Sequence, residues 1–369
     1  MKILFVITSS NIGEAQKYLY YLAKNLSNKK YEIHIATNPK GDYYFKYKSV
    51  ADKIIDIKNL TRNFNLTKDL KALFKLNKLI SKENYDIINT HTAKASFLGV
   101  LVAKNNKVDN IFFSAHGYNS AHIEMNIFKD KIYSLLKKLI VKLSKKTIVV
   151  SENTKRKLLK KNICNRDKIE VIHGGVNLDK FQIDFSKDYN NKKLIIGAAG
   201  RFIKLKGFEY YIDATKMVIS KNNNINFLLA GDGPNKNKYI KKINNLNIDN
   251  KIELLPFQNK FEDFLKKIDI LVVPSLMEGF PLTPCESLAM GVPVIATTVG
   301  GLPEVFEDGI HGYYVKPKSS EEIANKILKL DKHRDILTKM SEKAIKFAKE
   351  KYDWKSIVEK HENIFVGEK

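Results

Sequence analysis

The chain has 369 residues, 44% of them apolar, with a formal net charge of +24 and two cysteines far apart, Cys164 and Cys285. This length suggests two domains of ordinary size, and so few cysteines exclude a disulfide framework and fit a reducing compartment. The excess of positive charge favours an anionic partner: nucleic acid, anionic lipid or a phosphorylated substrate.

In the first half of the chain, predicted strands alternate with predicted helices. A buried strand at residues 3–8 leads through the loop Ser9 to Gly13 into a helix at 15–26. Further helices are predicted at 67–81, where Thr67 is the expected N-cap, and at 93–103. The other apolar runs of strand length are residues 31–36, 53–57, 86–90, 111–115, 147–150 and 168–172. This alternation predicts a doubly wound parallel sheet.

The same alternation restarts after a polar segment at 177–193, which we interpret as a linker. Strands are predicted at 194–199, 226–230, 251–255, 268–273, 292–296 and 312–315. The final helix begins near Trp354, the single tryptophan, and we expect it to pack on the first domain. The sequence thus predicts one domain at 1–176, joined by a helix at about 352–369, and another at 177–351, with two sheets side by side and a cleft between them.

The stretch 128–161 is strongly basic, with twelve lysines and arginines against two acidic residues. Its first part places apolar residues at helical spacing. A basic amphipathic helix can lie on an anionic membrane. In the alternative, the apolar stripe faces the domain core and the lysines face water. No segment reaches the length of a membrane span, and no signal-peptide cleavage pattern follows residues 1–7. We therefore expect a cytoplasmic protein, or alternatively one bound peripherally to the inner face of the cell membrane.

A strand–loop–helix unit at 273–301 carries two carboxylates. The strand ends at Pro274, and a glycine-rich loop with Glu278 follows. Thr283, Pro284 and Glu286 then have the spacing of an N-cap, an N1 proline and an N3 glutamate. A helix N-terminus binds anions through its N–H groups. From this pattern alone, capping is the favoured explanation of Glu286, and ligand contact is the alternative.

Two cations follow the strand at 194–199. Arg201 and Lys206 lie where a helix is about to begin, a position suited to holding a diphosphate. Gly231 lies in a tight turn after the next strand, for which ordinary turn chemistry is the competing explanation.

Two histidines end strands of the first domain, His91 and His116. Strand ends of α/β sheets bind ligands, although a single histidine is more often structural. The loop ending at Gly13 is suited to approach a phosphate but lacks the full G-x-G-x-x-G fingerprint. The sequence contains no Walker loop, no H-E-x-x-H motif, no Cys/His metal spacing and no G-x-S-x-G motif.

Taken together, these motifs resemble the retaining GT-B glycosyltransferases of family 4, over nearly the whole chain. The segments that carry the resemblance are residues 200–207, 231–234, 278–286, 291–296 and 300–304, followed by the late aromatic helix. The resemblance implies an α/β GT-B fold with two Rossmann-like domains facing across a cleft. It implies transfer of a sugar from a nucleotide sugar, with a UDP-sugar favoured, to a lipid-linked or saccharide acceptor in cell-surface polysaccharide or glycolipid synthesis. No metal or other cofactor is expected.

The resemblance also implies roles for single residues of the second domain. Arg201 and Lys206 would neutralise the departing nucleoside diphosphate in place of a metal ion. Glu278 would lie near the transferred sugar, and Glu286 would contact the ribose. The remaining donor-binding positions of this domain are Gly231, Gly279, Phe280, Pro281 and Leu282, the last four through backbone amides.

In the first domain, His116 would contact the donor sugar and Gly13 would close over the phosphates. One departure concerns the glycine loop, where many relatives have two adjacent glycines and this chain has Gly13 followed by Glu14. A carboxylate beside a phosphate repels it unless the side chain turns away. The sequence therefore leaves undecided how this loop contacts the phosphates, and a role of Glu14 on the acceptor side is the alternative.

Two other function classes compete with glycosyl transfer. The net charge alone suggests nucleic-acid binding, but no nucleic-acid motif is present and no nucleic-acid partner is expected. A UDP-sugar epimerase shares the GT-B fold, and the glycosyl-transfer motifs argue against it.

Overall fold

The computed structural model of the chain describes residues 1–27, 31–61, 63–117, 127–181, 183, 189 and 193–367. It divides into two compact units, one formed by Met1–Gly175 with Trp354–Lys369 and the other by Val176–Asp353. Within the described ranges, no helix is long and apolar enough to cross a membrane.

The first unit is built on a seven-stranded parallel sheet with the order β3-β2-β1-β4-β5-β6-β7. The strands are Lys2–Ile7 (β1), Glu32–Thr37 (β2), Lys53–Asp56 (β3), Ile87–His91 (β4), Ile111–Ala115 (β5), Lys146–Val149 (β6) and Ile169–Val171 (β7). Each predicted strand is present within about two residues of its predicted bounds. These short apolar runs are strands because a parallel sheet covered by helices buries both of its faces.

Within the described residues, six α-helices connect these strands: Glu14–Ser27 (α1), Tyr43–Lys48 (α2), Leu66–Glu83 (α3), Ala93–Asn105 (α4), Ile127–Leu143 (α5) and Glu152–Lys160 (α6). The cap predicted for α3 is wrong by two positions. Asn65 is the N-cap, and its side chain accepts a hydrogen bond of 3.0 Å from the backbone N–H of Lys68. Thr67 lies inside the first turn and donates to the Asn65 side chain at 2.8 Å. Asparagine caps as well as threonine, so local sequence did not distinguish them.

Helix α5 divides its apolar residues between two faces. Ile140 and Val141 are buried in the core, whereas Ile132, Leu135 and Leu139 are exposed. For the basic stretch 128–161, the interpretation that the apolar stripe faces the core therefore fits Ile140 and Val141. The interpretation that the stripe faces a membrane fits only the exposed residues. The side chains of residues 128–130 lie outside the described part of the chain.

The second unit is built on a six-stranded parallel sheet with the order β10-β9-β8-β11-β12-β13. Its strands are Ile195–Ala199 (β8), Asn226–Ala230 (β9), Ile252–Leu255 (β10), Ile270–Val273 (β11), Val294–Thr297 (β12) and Gly312–Val315 (β13). Its helices are Phe208–Ile219 (α7), Lys236–Asn245 (α8), Phe261–Lys267 (α9), Leu282–Ala289 (α10), Ser320–Lys332 (α11) and Arg334–Lys351 (α12). Both sheets confirm the α/β, doubly wound, two-domain fold class.

The last helix, Trp354–Val366 (α13), belongs to the first unit. Trp354 is 3% exposed and stacks on Tyr21 of α1, with 5.7 Å between ring centroids. It also meets the ring of Tyr18 edge-on at 5.4 Å. Burial of a tryptophan against two tyrosines anchors the end of the chain to its first helix.

The segment predicted as a linker, 177–193, falls largely outside the described residues, which omit 182, 184–188 and 190–192. Of the residues that are described, Phe181 and Tyr189 are both buried. Tyr189 belongs to the core of the second unit, and its hydroxyl donates to the carbonyl oxygen of Gly291 at 3.3 Å. Buried aromatic side chains are not typical of a linker, so the linker interpretation does not fit these two residues.

Candidate active site

The predicted donor-site residues of the second unit lie in loops at the carboxyl ends of neighbouring strands. β8 and β11 are adjacent in the sheet, so the loops that follow them meet at one edge. The backbone N–H of Leu276 donates to the carbonyl oxygen of Leu205 at 2.8 Å and joins the two loops directly. This edge is where open α/β sheets bind ligands.

The structure brings Lys206 and Glu278 into contact. The Nζ of Lys206 lies 2.7 Å from Oε1 of Glu278, whose side chain is 4% exposed. Ser275 donates to the same oxygen at 2.6 Å. The Thr297 hydroxyl donates to the Ser275 carbonyl at 2.6 Å and connects this group to the end of β12. A carboxylate this deeply buried is held by an ammonium group and a hydroxyl, as the cost of desolvating a charge requires.

Sequence reasoning assigned no role to Ser275 or Thr297. Ser275 follows directly after the proline that ends β11, and its position three residues before Glu278 was the available signal. Thr297 belongs to another strand, 22 residues away from Ser275 along the chain, and only the sheet brings the two together.

Two glycines allow these loops to pack backbone against backbone. Gly300 has a φ of +61°, and a Cβ added to it would lie 1.9 Å from the carbonyl oxygen of Glu278. Gly207 has a φ of +65°, and its Cβ would lie 2.1 Å from the carbonyl oxygen of Pro274. Both positions combine left-handed backbone with a contact too close for any side chain, so glycine is required.

Arg201 lies near the pair in sequence but is not part of it. Its side chain is exposed and makes no hydrogen bond or ion pair with the residues that the structure describes. Its loop is fastened by the N–H of Phe202, which donates to the carbonyl of Asp232 at 2.7 Å. A Cβ on Gly231 would lie 2.0 Å from the carbonyl oxygen of Gly200. Gly231 therefore has a packing role between two strand-end loops, and its contact with a donor stays a prediction.

Helix α10 does not begin as the sequence predicts. Its N-cap is Pro281, no side chain among the described residues caps it, and Thr283 lies within its first turn. The predicted capping box from Thr283 to Glu286 is therefore wrong. Proline is tolerated throughout the first turn, where N–H groups have no acceptor within the helix, so Pro284 did not mark the N1 position.

The start of α10 offers fewer amides than predicted. Pro281 has no N–H and cannot donate, so the donor role expected of its amide is excluded. The N–H groups of Gly279, Leu282 and Thr283 make no hydrogen bond to any residue in the described ranges. The side chains of Phe280 and Leu282 are buried, at 3% and 4% exposure, which leaves their backbone as the part that can face a ligand. N–H groups at a helix start favour an anion.

Glu286 is the fifth residue of α10 and is 1% exposed. Because it does not cap the helix, the capping explanation for this residue is removed, and its contact with a ribose stays a prediction. The neighbouring Cys285 is fully buried, and burial raises the pKa of its thiol.

In the first unit, the structure pairs the two strand-end histidines. Nδ1 of His91 lies 2.7 Å from Nε2 of His116, and the rings stack with centroids 5.1 Å apart. Burial lowers the pKa of both, that of His116 to about 3 with a further contribution from His361. Both rings are therefore neutral near pH 7, and one donates a proton to the other's lone pair.

The surroundings of His91 decide which ring donates. Its Nε2 is buried and has no hydrogen-bond partner among the described residues. An orphaned buried N–H is rarer than an orphaned acceptor. We therefore place the proton of His91 on Nδ1, donating to His116, which leaves His116 with an Nδ1–H that can donate to a ligand.

Helix α1 supports this pair. The ring of Tyr18 meets His116 edge-on at 5.0 Å, and its hydroxyl lies 3.1 Å from Nε2 of His361. His361 lies 343 residues after Tyr18 along the chain, so no local pattern indicated the contact. Gly13 comes just before α1, and its carbonyl accepts from the N–H of Lys17 at 3.0 Å. Its predicted phosphate contact remains untested, as does the role of Glu14, the first residue of α1.

Across the part of the chain that the structure describes, no group of three or more His, Cys, Asp or Glu side chains has an arrangement that can hold a metal ion.

Comparison with known proteins now identifies the family. Residues 15–180 match the family described as Glycosyltransferase Family 4, and residues 179–350 match Glycosyl transferases group 1. The uncharacterized glycosyltransferase MJ1178 of Methanocaldococcus jannaschii is 32% identical over 357 residues, covering 94% of this chain and 92% of that protein. The chain belongs to the family 4 glycosyltransferases.

This glycosyltransferase is also similar to the UDP-Gal:alpha-D-GlcNAc-diphosphoundecaprenol alpha-1,3-galactosyltransferase of Escherichia coli, with 27% identity over 85% of this chain and 84% of that enzyme. Among solved structures, Anabaena Alr3699/HepE in complex with UDP superposes with a TM-score of 0.83 at 19% identity, covering 99% of this chain and 100% of that one. That likeness confirms the GT-B fold. The family assignment selects glycosyl transfer over epimerisation and over nucleic-acid binding.

Proposed function

We propose that this glycosyltransferase moves a sugar from a UDP-sugar to a lipid-linked or saccharide acceptor during synthesis of a cell-surface polysaccharide or glycolipid. The name of the Escherichia coli relative contains both a UDP-sugar donor and a lipid-diphosphate acceptor. The Anabaena structure holds UDP. The net charge of +24 is suited to a donor and an acceptor that both carry phosphates.

The observation that carries this proposal is the contact of Lys206 with the buried carboxylate of Glu278, in the loops beside the start of α10. As the bond between the sugar and the diphosphate breaks, its electron pair moves to the phosphate oxygen. A lysine held in place stabilises that charge without reorganising, and the exposed Arg201 adds a second cation. The N–H groups of Gly279, Leu282 and Thr283 supply donors for phosphate or hydroxyl oxygens.

Two finer features belong to the same proposal. Fixed cations take the place of a divalent metal at the leaving group, so turnover is metal-independent. The acceptor attacks the face from which the diphosphate leaves, through an oxocarbenium-like state, so the anomeric configuration is retained. We assign no side chain as a nucleophile. In the first unit, His116 offers its Nδ1–H to a donor-sugar hydroxyl.

The test is release of nucleoside diphosphate from a panel of nucleotide sugars, with and without a chelator. We expect UDP release that the chelator leaves unchanged, and a product whose anomeric configuration by NMR equals that of the donor. Lys206→Ala and Arg201→Ala should each lower kcat about 100-fold to 1,000-fold. Lys204→Ala is the matched control, because Lys204 is an exposed lysine of the same short 3₁₀ helix, Lys204–Lys206. Full turnover by Lys206→Ala would contradict the assigned role.

We also propose a peripheral position on an anionic membrane surface, through the basic stretch 128–161. Lys138 and Lys142 are exposed on α5 and available for lipid phosphates. Lys137 is 6% exposed and does not belong to this face. Charge reversal at Lys138 and Lys142 should weaken binding to anionic liposomes, and unchanged binding would remove α5 from the membrane contact.

A further inference from the structure

A row of large apolar side chains is exposed on α3 and on the segment before it. Phe64 is 52% exposed, Leu66 78%, Leu70 48% and Phe74 71%. Leu66, Leu70 and Phe74 recur every four residues and so lie along one side of the helix. The helix buries other residues, at Ala72, Leu76 and Ile80. The exposed row is therefore a second apolar face, additional to the one that packs on the core.

A similar row is exposed on α5, formed by Ile132, Leu135 and Leu139. Helix α4 contacts both α3 and α5 and lies between them. Phe64 bridges the two rows. Its ring lies 6.1 Å from that of Tyr133, and a shallow apolar depression is lined by Phe64, Ile132, Tyr133 and Leu136. The two rows thus meet and form one exposed apolar surface, which we call the α3/α5 surface.

A buried lysine holds Phe64 in this position. Lys94, in the first turn of α4, is 4% exposed, and its Nζ donates to the carbonyl oxygen of Asn63. The same Nζ lies 2.5 Å from Oδ1 of Asp69 and 5.2 Å from the centroid of the Phe64 ring. A buried charge pair costs free energy unless it is well satisfied. Here the pair fixes the segment that presents Phe64 to solvent.

Lysines surround this apolar surface. Among the described side chains of the two helices, the exposed lysines are Lys68, Lys71, Lys75, Lys78, Lys82, Lys131, Lys138 and Lys142. The acidic residues of α3 are both engaged by other lysines, Asp69 by Lys94 and Glu83 by Lys2 and Lys53. The positive field of the α3/α5 surface is therefore not cancelled by carboxylates on α3.

Apolar side chains beside a group of lysines are complementary to the boundary of an anionic bilayer. Apolar groups enter the region between headgroups and acyl chains, and ammonium groups meet the lipid phosphates. Exposed apolar side chains grouped in this way are typical of an interaction site on a protein surface. The charge selects an anionic lipid surface as the occupant.

We propose that α3, residues 63–66 and the exposed side of α5 form one membrane-docking surface that inserts Phe64, Leu66 and Phe74 into an anionic bilayer. The inference rests on the proposed function in one respect, the lipid-linked acceptor. The surface adjoins the strand-end edge of the first sheet, since α4 begins two residues after His91. Docking here brings that edge to the membrane.

The test is flotation with vesicles of equal parts phosphatidylglycerol and phosphatidylcholine, and with vesicles of phosphatidylcholine alone. The double variant Leu66→Ser/Phe74→Ser should bind the anionic vesicles about 100-fold more weakly, about tenfold for each side chain that no longer inserts. Phe45→Ser is the matched control, because Phe45 on α2 is 75% exposed and should leave binding unchanged.

A charge variant tests the lysines separately. Lys71→Gln/Lys75→Gln should weaken binding by about fivefold for each lysine, and high salt should remove the difference. Lys339→Gln/Lys343→Gln is the matched control, two exposed lysines four residues apart on α12. An equal loss of vesicle binding in the two double variants would mean that only the total charge of the protein matters, and it would overturn the proposal.

UDP release from a soluble nucleotide sugar separates this inference from the proposed function. Vesicle binding lost in the α3 variants but kept in the controls, with UDP release at the wild-type level, supports the surface. The same binding pattern in a protein that turns over no nucleotide sugar also supports the surface and contradicts the proposed function. Wild-type vesicle binding by Leu66→Ser/Phe74→Ser overturns the surface whatever the turnover. Loss of self-association in sedimentation with vesicle binding unchanged would assign this face to a second copy of the chain and overturn it too.

Discussion

Gly300→Ala tests whether the loop after β12 holds Glu278 in place. The glycine has a φ of +61°, and the new Cβ would lie 1.9 Å from the carbonyl oxygen of Glu278. An ordinary contact between such atoms is about 3.5 Å, so the two backbones must separate by more than about 1 Å. The carboxylate that contacts Lys206 moves with its backbone.

The expected magnitude has two parts. Left-handed backbone costs alanine about 1–2 kcal/mol. Relief of the overlap costs about 1–3 kcal/mol more, as in other overpacked sites. The sum, about 2–5 kcal/mol, corresponds to a fall in Tm of about 4–20 °C at about 2–4 °C per kcal/mol for a unit of this size. Displacement of a reacting group by about 1 Å lowers turnover about 100-fold.

Gly309→Ala is the control. Gly309 has a φ of +73°, and a Cβ there would meet no atom of the described part of the chain within 4 Å. The Gly309→Ala variant should therefore lose only the free energy of unfolding that the left-handed backbone costs alanine, about 1–2 kcal/mol. Its turnover should stay near the wild-type level. Thermal unfolding and UDP release measured on both variants give the comparison. If Gly300→Ala matched Gly309→Ala in both measurements, the close packing against Glu278 would have no energetic consequence and the reasoning would fail.

Three further predictions concern pH, capping and reactivity. The pKa of His116 is lowered to about 3 in the folded state, whereas its unfolded value is about 6.5. The contribution of this histidine to the free energy of unfolding is therefore complete above about pH 6.5. Below that pH it falls by about 1.4 kcal/mol per pH unit, because the unfolded chain binds a proton that the folded ring does not. Urea unfolding between about pH 7 and about pH 5 should show a shallower fall for His116→Gln than for the exposed control His333→Gln, and equal slopes would refute the assignment. Ser319→Ala should cost about 1 kcal/mol because the Ser319 hydroxyl caps α11, whereas a similar loss in Thr283→Ala would contradict the observed start of α10. Burial raises the pKa of the Cys285 thiol, so a thiol reagent at neutral pH should label it only after unfolding.

The fold was largely predictable because its signal is local. A strand buried on both faces requires a short apolar run, and the order of such runs with intervening helices implies a parallel sheet. Helix α2, Tyr43–Lys48, was missed because its six aromatic and lysine residues are too few to show a helical period. The start of α10 was misplaced because proline is compatible with several first-turn positions.

The candidate site was predictable in part for the same reason. Strand-end position indicated Lys206, Glu278, His91 and His116 before any contact was known. Their pairing was not predictable, because an ion pair across 72 residues depends on which strands are neighbours.

Sequence by itself determined the α/β class, the strand ends that carry polar groups and the family motifs, because each is encoded within a few consecutive residues. Only the tertiary structure decided which of those groups touch, such as Lys206 with Glu278 and His91 with His116. It also decided which apolar residues face the core. Leu66 and Leu76 are both leucines of helix α3, yet the side chain of Leu66 is 78% exposed and that of Leu76 is fully buried. Periodicity defines a helix face, but whether that face meets the core, solvent or a membrane depends on the elements packed around it.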